Sequence, residues 1–261
     1  MTNSSILSYL GPHPWADRIT VLDTVDSTNT FAKALAVQGA AHGTIVLADH
    51  QTGGRGRLGR SFSSPKGMGI YLSAILRFHV TPDRLMHLTC VMAEAIRRAI
   101  AVSTGITPEI KWTNDLVYEK KKLCGILTEL TSTPEGPAII VGAGVNCFQQ
   151  PEDFPPEVAS MATSLAQLTG STDRSAVVAA MILQLHLAAE DMLTPQAWMD
   201  SYRAHCITLG QDVRIVRGDQ VRLAHVDAMD DQGALLVTLA DGTQETVFSG
   251  EVSVRGMYGY L

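Results

Sequence analysis

Residues 50–60 read His50-Gln51-Thr52-Gly53-Gly54-Arg55-Gly56-Arg57-Leu58-Gly59-Arg60. This stretch places four glycines and three arginines in a chain whose formal net charge is -6 at pH 7. Glycines let the backbone approach a ligand closely and leave its N–H groups accessible. Arginines supply forked positive charge that suits phosphate and carboxylate groups. The stretch therefore predicts a flexible loop that closes over an anionic ligand.

Strands and helices alternate on both sides of this loop. Apolar and alternating runs predict strands over residues 19–25, 44–48, 69–76, 109–112, 116–118, 122–131 and 138–146. Helices are predicted after the N-cap residue types at 26–29, from Thr81 and Pro82 onward, and over residues 173–193 and 196–205. This pattern indicates an α/β (α+β) unit in which a mixed sheet packs against helices.

The pattern changes after residue 206. Short strands are predicted over residues 212–216, 220–229, 233–239, 245–248 and 252–255, with Gly and Asp in the turns between them. Many short strands joined by regular turns favour a small β barrel. We therefore divide the chain into two predicted domains, residues 1–206 and residues 207–261.

Composition excludes several classes of protein. With 261 residues, 46% of them hydrophobic, the chain can bury a sizeable core. Its acidic balance argues against a broad nucleic-acid footprint, which needs a basic face. The four cysteines form no C-x-x-C pair, so the sequence predicts neither a disulfide framework nor a protein metal site, and it fits a reducing compartment.

The sequence contains no recognisable leader peptide or membrane span. Residues 1–15 lack a basic-then-apolar pattern. No apolar run approaches the ~20 residues that span a bilayer. We expect a cytoplasmic protein without a membrane partner.

The glycine–arginine loop, residues 50–60, has three alternative interpretations. Residues 54–61 fit G-x-x-x-x-G-[KR]-S and so come close to a P-loop, but a P-loop runs into a helix, and the turn-rich residues 62–67 follow here. An RGG-type RNA-binding tract repeats in a basic, disordered region, whereas this copy is single and lies in an acidic chain. A solvated turn that binds nothing is the third interpretation.

Four other motifs carry functional residue types. They are Asp26-Ser27-Thr28-Asn29, Lys111-Trp112-Thr113-Asn114-Asp115, Lys121-Lys122-Leu123-Cys124-Gly125-Ile126-Leu127-Thr128-Glu129 and Val141-Gly142-Ala143-Gly144-Val145-Asn146. Each motif by itself also has an ordinary structural interpretation. The first can be a helix cap, the second a surface charge pair, the third a strand with solvated lysines and the fourth a buried strand. None of them identifies a function by itself.

The order of the motifs is more specific than any one of them. Together with the glycine–arginine loop, and over residues 25–146, they closely resemble the biotin protein ligases. The predicted C-terminal β unit resembles the companion domain of that family. The resemblance implies a biotin/lipoate ligase-like catalytic domain followed by an SH3-like β barrel. It also implies a two-step reaction: biotin and Mg-ATP form biotinyl-5′-AMP, and the biotin passes to one lysine of a biotin carboxyl carrier protein or domain.

The resemblance further implies roles for the ligand-binding residues. By motif match, Ser27, Thr28 and Gln51 hydrogen-bond the ureido ring of biotin. Arg55, Gly56 and Arg57 lie against the carboxylate and the phosphate. Lys122 holds the carboxylate and the α-phosphate through attack, Gly125 allows close backbone approach, and Asn146 meets the adenine. The rest of the predicted ligand-binding set is Asn29, Gly54 and Arg60.

Four residues form the predicted catalytic set, namely Arg57, Lys111, Asp115 and Lys122. Their positive charges neutralise two anions that must meet, and no nucleophilic side chain is required. We hypothesise that Asp115 orients or deprotonates the acceptor lysine, which must lose a proton before it attacks.

The sequence departs from the usual pattern of the family at two notable positions. Thr113 stands where proline is usual, and we expect a looser backbone there. Phe62 stands where many relatives have tryptophan, and an aromatic ring at this position can stack over the adenylate or pack the closed loop. We expect the glycine–arginine loop to act as a lid that seals the adenylate from water.

Two other functions stay open at this point. Lipoate ligases and octanoyltransferases share the implied catalytic fold, although Gln51 and the Lys-Trp motif favour biotin. A non-enzymatic, biotin-responsive regulator is disfavoured by Arg57, Lys111 and Lys122.

Only about 25 residues precede the first motif, so we expect no DNA-binding domain and no DNA partner. Exposed sheet edges can pair, which makes a homodimer compatible with the sequence.

Overall fold

The computed structural model describes residues 1–249 and 253–256. A seven-stranded sheet is formed by β1 (Ile19–Val25), β2 (Thr44–Gln51), β3 (Gly69–Leu76), β4 (Glu109–Lys111), β5 (Asp115–Tyr118), β6 (Lys121–Thr133) and β7 (Gly136–Asn146). The strand order is β1-β2-β3-β7-β6-β5-β4. β1 pairs in parallel with β2, and the other neighbouring pairs are antiparallel. This mixed sheet confirms the predicted fold class.

Helices cover both faces of the sheet, with most of them on one side. The α-helices of the described chain are α1 (Asn3–Leu10), α2 (Thr28–Val37), α3 (Leu88–Thr104), α4 (Leu165–Thr169), α5 (Arg174–Glu190) and α6 (Gln196–His205). α2 packs its small residues Ala32 and Ala36 against Val46 and Ile140. α3, α5 and α6 contribute to the main core on the opposite face. None of the helices in residues 1–249 and 253–256 has the length and apolar character needed to cross a membrane.

The central strand β3 needs both of these helical layers. All eight of its residues are buried, and alternate side chains of a strand point to opposite faces. Ile70 and Leu72 join the main core, whereas Ile75 joins the smaller core under α2. A strand that is buried on both faces has a continuous apolar sequence. For that reason its bounds were predictable from the sequence.

The helix predicted to begin at Thr81 and Pro82 begins later. A short 3-10 helix occupies Pro82–Leu85, and α3 starts only at Leu88. The ring of His87 is buried, and its Nε2 lies 3.0 Å from the carbonyl oxygen of Met192. Packing against the chain that follows α5 therefore accompanies the start of α3, and the Thr-Pro pair opens only the short turn before it.

Helix α1 was not predicted. Its sequence is mostly polar, and Ile6 is its one fully buried residue. The Thr2 side chain caps it, and Ser5 and Tyr9 hold it against α5. The Ser5 and Ser175 hydroxyl oxygens lie 2.9 Å apart, and the Tyr9 hydroxyl donates to Asp173 at 2.7 Å. These contacts are tertiary, so the local sequence gave no periodic signal for the helix.

The chain after residue 206 forms a second, antiparallel sheet. Its strands are β8 (Asp212–Arg217), β9 (Gln220–Met229), β10 (Leu235–Leu239), β11 (Gln244–Val247) and β12 (Ser253–Gly256), in the order β11-β10-β9-β8-β12. Residue 252, the first of the predicted strand 252–255, lies outside the described residues. The all-β texture agrees with the predicted fold class, and the division into residues 1–206 and 207–261 stays a prediction.

The second sheet contacts the Lys-Trp-Thr-Asn-Asp motif through Trp112. The indole N–H of Trp112 donates to the carbonyl of Gly233 at 2.8 Å. The backbone N–H of the same residue donates to Thr208 Oγ1 at 3.0 Å. The C-terminal unit is thus hydrogen-bonded to a motif of the predicted site.

Candidate active site

Two adjoining cavities lie between the glycine–arginine loop and the larger sheet. The smaller, of about 60 Å³, and the larger, of about 660 Å³, share Gln51, Phe62 and Lys122 in their walls. The predicted residues lining the smaller cavity are Ser27, Thr28, Asn29, Gln51, Arg55, Gly56, Arg57, Lys122 and Gly125. Those lining the larger cavity are Gln51, Gly54, Arg60, Asp115, Lys122 and Asn146.

Lys111 is the predicted site residue that lines neither of these two cavities. It is the last residue of β4 and stands in register with Asp115 of β5. Its backbone position is therefore beside the site, while its side chain does not contribute to either wall. Its catalytic role stays a prediction.

The N-terminus of α2 forms one end of the smaller cavity. Ser27 is the N-cap residue of α2, but its side chain makes no capping hydrogen bond. Serine at this position normally accepts such a bond, so its hydroxyl is available to the cavity that it lines. Ser27 is only 2% exposed. A buried hydroxyl that does not cap its own helix supports the predicted role in ligand binding.

Gln51 is held in one orientation at the junction of the two cavities. Its Oε1 accepts from the backbone N–H of Thr28 at 2.8 Å and from the Thr28 hydroxyl at 3.1 Å. Its Nε2 donates to Ser64 Oγ at 2.8 Å. The amide nitrogen has two protons, so one donor stays available beyond the bond to Ser64. Gln51 can therefore offer a donor to a neutral polar ligand.

The glycine–arginine loop folds back on itself. The N–H of Gly56 donates to the Arg60 carbonyl at 2.7 Å, and the N–H of Phe62 donates to the Gly54 carbonyl at 2.9 Å. A 3-10 turn at Arg57–Gly59 closes its tip. A Cβ at Gly54 would overlap the backbone oxygen of Phe62. Glycine is required at that position because the returning strand of the loop passes directly over it.

Phe62 lies on the sheet at glycine positions of two neighbouring strands. A Cβ built on Gly144 of β7 would meet Phe62 Cε1 at 2.5 Å, and one built on Gly125 of β6 would meet Cε2 at 3.5 Å. The absence of a side chain at Gly144 makes room for the aromatic ring, whereas the position at Gly125 lies at ordinary van der Waals distance from it. Gly144 and Gly125 pair with each other across the strands. The motif glycines therefore form a flat seat for Phe62 between the two cavities.

Arg57 joins three separate parts of the chain. Its Nη1 donates to Asn114 Oδ1 at 3.0 Å and to Thr113 Oγ1 at 3.3 Å, and its Nη2 donates to the carbonyl oxygen of Ser249. Burial lowers the pKa of the guanidinium, and the Asp115 carboxylate opposes that shift. Arginine stays charged in proteins. Arg57 thus carries a half-buried positive charge and links the loop to the Lys-Trp-Thr-Asn-Asp motif.

Thr113 is firmly held, contrary to the looser backbone expected for a residue in place of proline. It is 2% exposed. Its carbonyl accepts a hydrogen bond from the Tyr202 hydroxyl at 3.0 Å, and its own hydroxyl accepts from Arg57. The side-chain oxygen provides an acceptor that proline lacks. The departure from the family pattern therefore adds a contact to the loop.

Asp115 and Lys122 form an ion pair at the edge of the larger cavity. Lys122 Nζ lies 2.8 Å from Asp115 Oδ1, with the two side chains 28% and 18% exposed. Asn114 also donates to Asp115 Oδ1, at 3.3 Å. The register between β5 and β6 shifts after Leu116, and this irregularity accompanies the approach of the two side chains. Two predicted catalytic groups of opposite charge are therefore in direct contact.

Asn146 is occupied by backbone partners. Its Nδ2 donates to the carbonyl of Thr163 at 3.0 Å and lies 3.4 Å from that of Lys122. Both donors thus face the protein, and its Oδ1 is 3.5 Å from Gln149 Nε2. The residue fixes the segment around Thr163 to the sheet. Its predicted contact with adenine stays a prediction.

Three residues of this region were missed by the sequence reasoning. Ser64 receives the hydrogen bond from Gln51, Ser73 bonds to the start of α2, and the Ser249 carbonyl accepts from Arg57. A serine within the buried apolar strand β3 was a signal that could have identified Ser73. The other two depend on how distant segments meet, and no local pattern marks them.

Comparison with known protein families gives two matches. Residues 21–146 match the biotin/lipoate A/B protein ligase family. Residues 208–255 match the biotin protein ligase C terminal domain. The matched segments contain the motifs of the site and the second sheet.

Curated relatives cover most of the chain. The bifunctional ligase/repressor BirA of Bacillus subtilis (strain 168) is 33% identical over an alignment of 238 residues, and the match covers 89% of this chain and 72% of that protein. The biotin--[acetyl-CoA-carboxylase] ligase of Mycobacterium tuberculosis is 31% identical over 244 residues, covering 90% of this chain and 88% of that protein. Both similarities are longer than the 126 residues, 21–146, of the first family match.

A solved structure has the same fold. The biotin protein ligase from Aquifex aeolicus in complex with biotin and ATP superposes with a TM-score of 0.78 at 28% identity. The match covers 92% of this chain and 99% of that chain. The similarity therefore extends over both sheets and the helices that cover them.

Proposed function

The chain belongs to the biotin/lipoate A/B protein ligase family, and we propose that it is a biotin protein ligase. It activates biotin with ATP to biotinyl-5′-AMP and transfers the biotin to one lysine of a carrier protein. The observation that carries this proposal is that Lys122 lines both cavities at once. A cation at the junction can serve an acid bound on one side and a nucleotide phosphate bound on the other.

The first step joins two anions. The biotin carboxylate attacks the α-phosphorus of ATP, a P–O bond forms, and the bond to the leaving pyrophosphate breaks. Positioning and charge neutralisation provide most of the catalysis in such a step. Arg55, Arg57 and Lys122 line the smaller cavity, and Arg60 lines the larger one. We assign Arg57 and Lys122 to contact the reacting carboxylate and phosphate. We assign Arg55 and Arg60 to raise the positive electrostatic potential around these groups.

The second step moves biotin to an amine. The deprotonated acceptor lysine attacks the mixed anhydride, an amide bond forms, and AMP leaves. We assign Asp115 to receive or orient the proton of the incoming ammonium group. Its position in the wall of the larger cavity supports this role. Lys122, its present partner, would then be bound to the adenylate phosphate.

The neutral end of biotin suits the polar groups at the start of α2. We assign Ser27, Thr28, Asn29 and Gln51 to the ureido end, since hydroxyl and amide groups fit a ligand that both donates and accepts.

Mg²⁺ is proposed to enter with ATP as part of the substrate complex, because it is usually held by substrate phosphates with few protein ligands. Asn146 is proposed to face the adenine side of the larger cavity.

The proposal is tested by mass spectrometry of a biotin carboxyl carrier domain. The domain is incubated with the protein, biotin and Mg-ATP, and parallel samples omit ATP or contain lipoate in place of biotin. A mass gain of one biotin that requires ATP is expected. Modification by lipoate with none by biotin would support the lipoate alternative and contradict the assignment.

We propose a biotin carboxyl carrier protein or domain as the protein partner, with no DNA and no membrane. An electrophoretic gel shift with operator-like DNA tests the first exclusion. A homodimer through a free sheet edge is compatible with the exposed position of β1 at the end of the sheet order, and sedimentation equilibrium measures it. A cytoplasmic location is proposed and can be checked by fractionation.

A further inference from the structure

Glu129 is the last residue of the Lys-Leu-x-Gly-Ile-Leu-x-Glu motif, and the site assignments above leave it without a role. It lies on β6, where its side chain faces α2. Its Oε2 accepts from Asn29 Nδ2 at 2.8 Å, and its Oε1 accepts from Lys33 Nζ at 2.5 Å. The side chain is 24% exposed and lines neither of the two cavities. Glu129 therefore reaches the smaller cavity only through Asn29.

The carboxylate fixes the orientation of the Asn29 amide. An ionised carboxylate can only accept hydrogen bonds, so the NH₂ end of Asn29 faces Glu129, and the same Nδ2 also donates to the carbonyl oxygen of Leu127 at the longer distance of 3.4 Å. The carbonyl end then faces Ser73, whose Oγ lies 2.6 Å from Asn29 Oδ1. Gly142 makes this arrangement possible, because a Cβ there would overlap Asn29 Oδ1. Asn29 itself is 4% exposed, so water does not compete for these bonds.

Ser73 transmits this orientation to the pocket residue Thr28. The Ser73 hydroxyl faces two oxygens, Asn29 Oδ1 at 2.6 Å and Thr28 Oγ1 at 2.8 Å, but has one proton to donate. The Thr28 hydroxyl donates its own proton to Gln51 Oε1 at 3.1 Å. When Asn29 presents its carbonyl, we assign the Ser73 proton to the shorter of its two contacts. The lone pairs of Thr28 Oγ1 then stay available for an N–H group in the cavity. If the Asn29 amide were reversed, Ser73 would donate to Thr28 and occupy one of those lone pairs.

The electrostatics around Glu129 support an ionised carboxylate. Burial raises the pKa of Glu129, but hydrogen bonds from Lys33 and Asn29 outweigh it, with help from the charges of Lys33 and Arg55. The pKa is lowered overall from its ordinary value. The acceptor-only state of Glu129 is thus present at neutral pH.

We propose that Glu129 is a positioning residue that sets the direction of hydrogen bonding in the biotin pocket through Asn29, Ser73 and Thr28. This inference rests on the proposed function, since it names what the ureido N–H groups of biotin meet. Glu129 touches no substrate. Its effect is confined to the affinity for biotin, and the transfer chemistry at Asp115 and Lys122 lies outside its reach.

The test compares Glu129→Gln with two control variants. Glutamine keeps the size of the side chain but can donate, which allows the Asn29 amide to reverse. We expect the Kd for biotin, measured by calorimetry, to rise on the order of 10-fold, as for one misdirected hydrogen bond near a charged group. The kcat for transfer from saturating, preformed biotinyl-AMP should change by less than about 3-fold.

The controls separate positioning from stability. Lys33→Met removes the ion pair but leaves the carboxylate facing Asn29, and Glu135→Gln changes an exposed carboxylate, 59% exposed and paired with Arg77. Both should leave the Kd for biotin within about 2-fold of the wild type, which is the scale of a surface charge pair. Equal losses in Lys33→Met and Glu129→Gln would overturn the inference in favour of a structural ion pair.

A double-mutant cycle checks the path through Asn29. If Glu129 acts through that amide, Glu129→Gln should add little to the loss in Asn29→Ala. Additive losses would overturn the path, and a wild-type Kd for biotin in Glu129→Gln would overturn the inference entirely. A wild-type protein that binds no biotin would contradict the proposed function instead, so the two failures are distinguishable.

Discussion

Lys122 Nζ lies 2.8 Å from Asp115 Oδ1, so two groups assigned to successive steps of the reaction neutralise each other before substrates bind. Both line the larger cavity, and Lys122 also lines the smaller one. An adenylate phosphate at the junction offers Lys122 a second anionic partner. When Lys122 turns to it, the Asp115 carboxylate loses this cationic partner and can accept a proton from the acceptor lysine. We therefore propose that exchange of this ion pair links formation of the adenylate to readiness for transfer.

Asp115→Asn should impair the second step more than the first. Removal of the carboxylate eliminates the proton acceptor, and general base catalysis is commonly worth 10²-fold or more, so we expect transfer from preformed biotinyl-AMP to slow by about 10²-fold. Adenylate formation should fall far less. Single-turnover transfer to a carrier domain and pyrophosphate exchange measure the two steps. Asp200→Asn, at an exposed carboxylate on α6, is the matched control, and a normal transfer rate in Asp115→Asn would contradict the assigned role.

Thr113→Val should weaken the hydrogen bonding that positions Arg57, which we propose to be catalytic. Valine keeps the shape of the buried side chain but removes the oxygen that lies 3.3 Å from Arg57 Nη1. The donor is the charged guanidinium, and a hydrogen bond to a charged group is worth about 1.5 kcal/mol at the lower end of its range, so loss of biotinyl-AMP from the enzyme should rise by about 10-fold. Rapid gel filtration of the complex measures that loss.

Thr113→Ser is the control for this prediction, because serine keeps the hydroxyl. It should retain biotinyl-AMP like the wild type. If Thr113→Ser and Thr113→Val leak equally, the hydroxyl has no part in holding Arg57, and the methyl group of Thr113 matters instead.

Much of the fold was predictable because its strands have strong local signals. Ile19–Val25, Gly69–Leu76 and Gln220–Met229 are apolar or alternating runs that end at turn residues, and their bounds agree with the prediction. α1 and the start of α3 were not predicted correctly. Both depend on contacts with α5 or the chain after it, such as those of Tyr9 and His87. Such contacts leave no periodic pattern in the sequence.

The candidate site was predictable in its members and not in their partners. Motif order brought Gln51, Arg57, Asp115 and Lys122 together, and all four line a cavity. That Asp115 pairs with Lys122 depends on the shifted register of β5 and β6, which is a property of the folded sheet. The contact of Arg57 with Ser249 depends on how the second sheet sits against the first. Neither can be derived from spacing along the chain.

Gly144→Ala should displace Phe62 from its seat on the sheet. The added methyl group would lie 2.5 Å from Phe62 Cε1, closer than carbon atoms approach, so the ring must move. Because Phe62 stands between the two cavities, we expect kcat/KM for adenylate formation to fall by about 10-fold, or ~1.4 kcal/mol. Pyrophosphate exchange at varied biotin and ATP concentrations measures the change.

Phe62→Leu provides the check on this mechanism. If the clash with the ring causes the loss, combining Phe62→Leu with Gly144→Ala should give a smaller combined loss than the sum of the two. Strictly additive losses would mean that Gly144 acts on something other than Phe62.

The histidines around Trp15 should make the folded state less stable as the pH falls from about 6.5 to 5. Burial is the first cause that lowers the pKa of both His13 and His42, and the nearby His186 lowers them further. These histidines have the higher pKa, 6.5, in the unfolded chain, so the unfolded chain binds protons first as the pH falls. The free energy of unfolding therefore decreases when the pH drops below 6.5. Urea unfolding at several pH values measures this slope.

His13→Phe keeps an aromatic ring beside Trp15 while removing one titrating group. Its free energy of unfolding should depend less on pH over the same window, by no more than about 1.4 kcal/mol per pH unit for one proton. Carboxyl groups titrate mainly at lower pH, so they do not mask the effect. An unchanged slope in His13→Phe would show that His13 does not contribute.

Arg57→Gly should increase the release of biotinyl-AMP from the enzyme. The substitution removes hydrogen bonds to Asn114, Thr113 and the Ser249 carbonyl, and with them the half-buried charge that links the loop to these segments. We expect release of free biotinyl-AMP to increase by at least 10-fold, more than in Thr113→Val, because several charged hydrogen bonds, each worth about 1.5–3 kcal/mol, are lost together. Biotinylation of lysines on an added bystander protein should rise in parallel, since a released mixed anhydride reacts with any accessible amine.

Arg84→Gly, at an exposed arginine of the 3-10 turn before α3, is the control and should retain the adenylate. Among the hydrogen bonds of the described residues, only those of Arg57 join the tip of the loop both to the Lys-Trp-Thr-Asn-Asp motif and to Ser249. Unchanged retention of biotinyl-AMP in Arg57→Gly would therefore mean that the loop does not act as a lid.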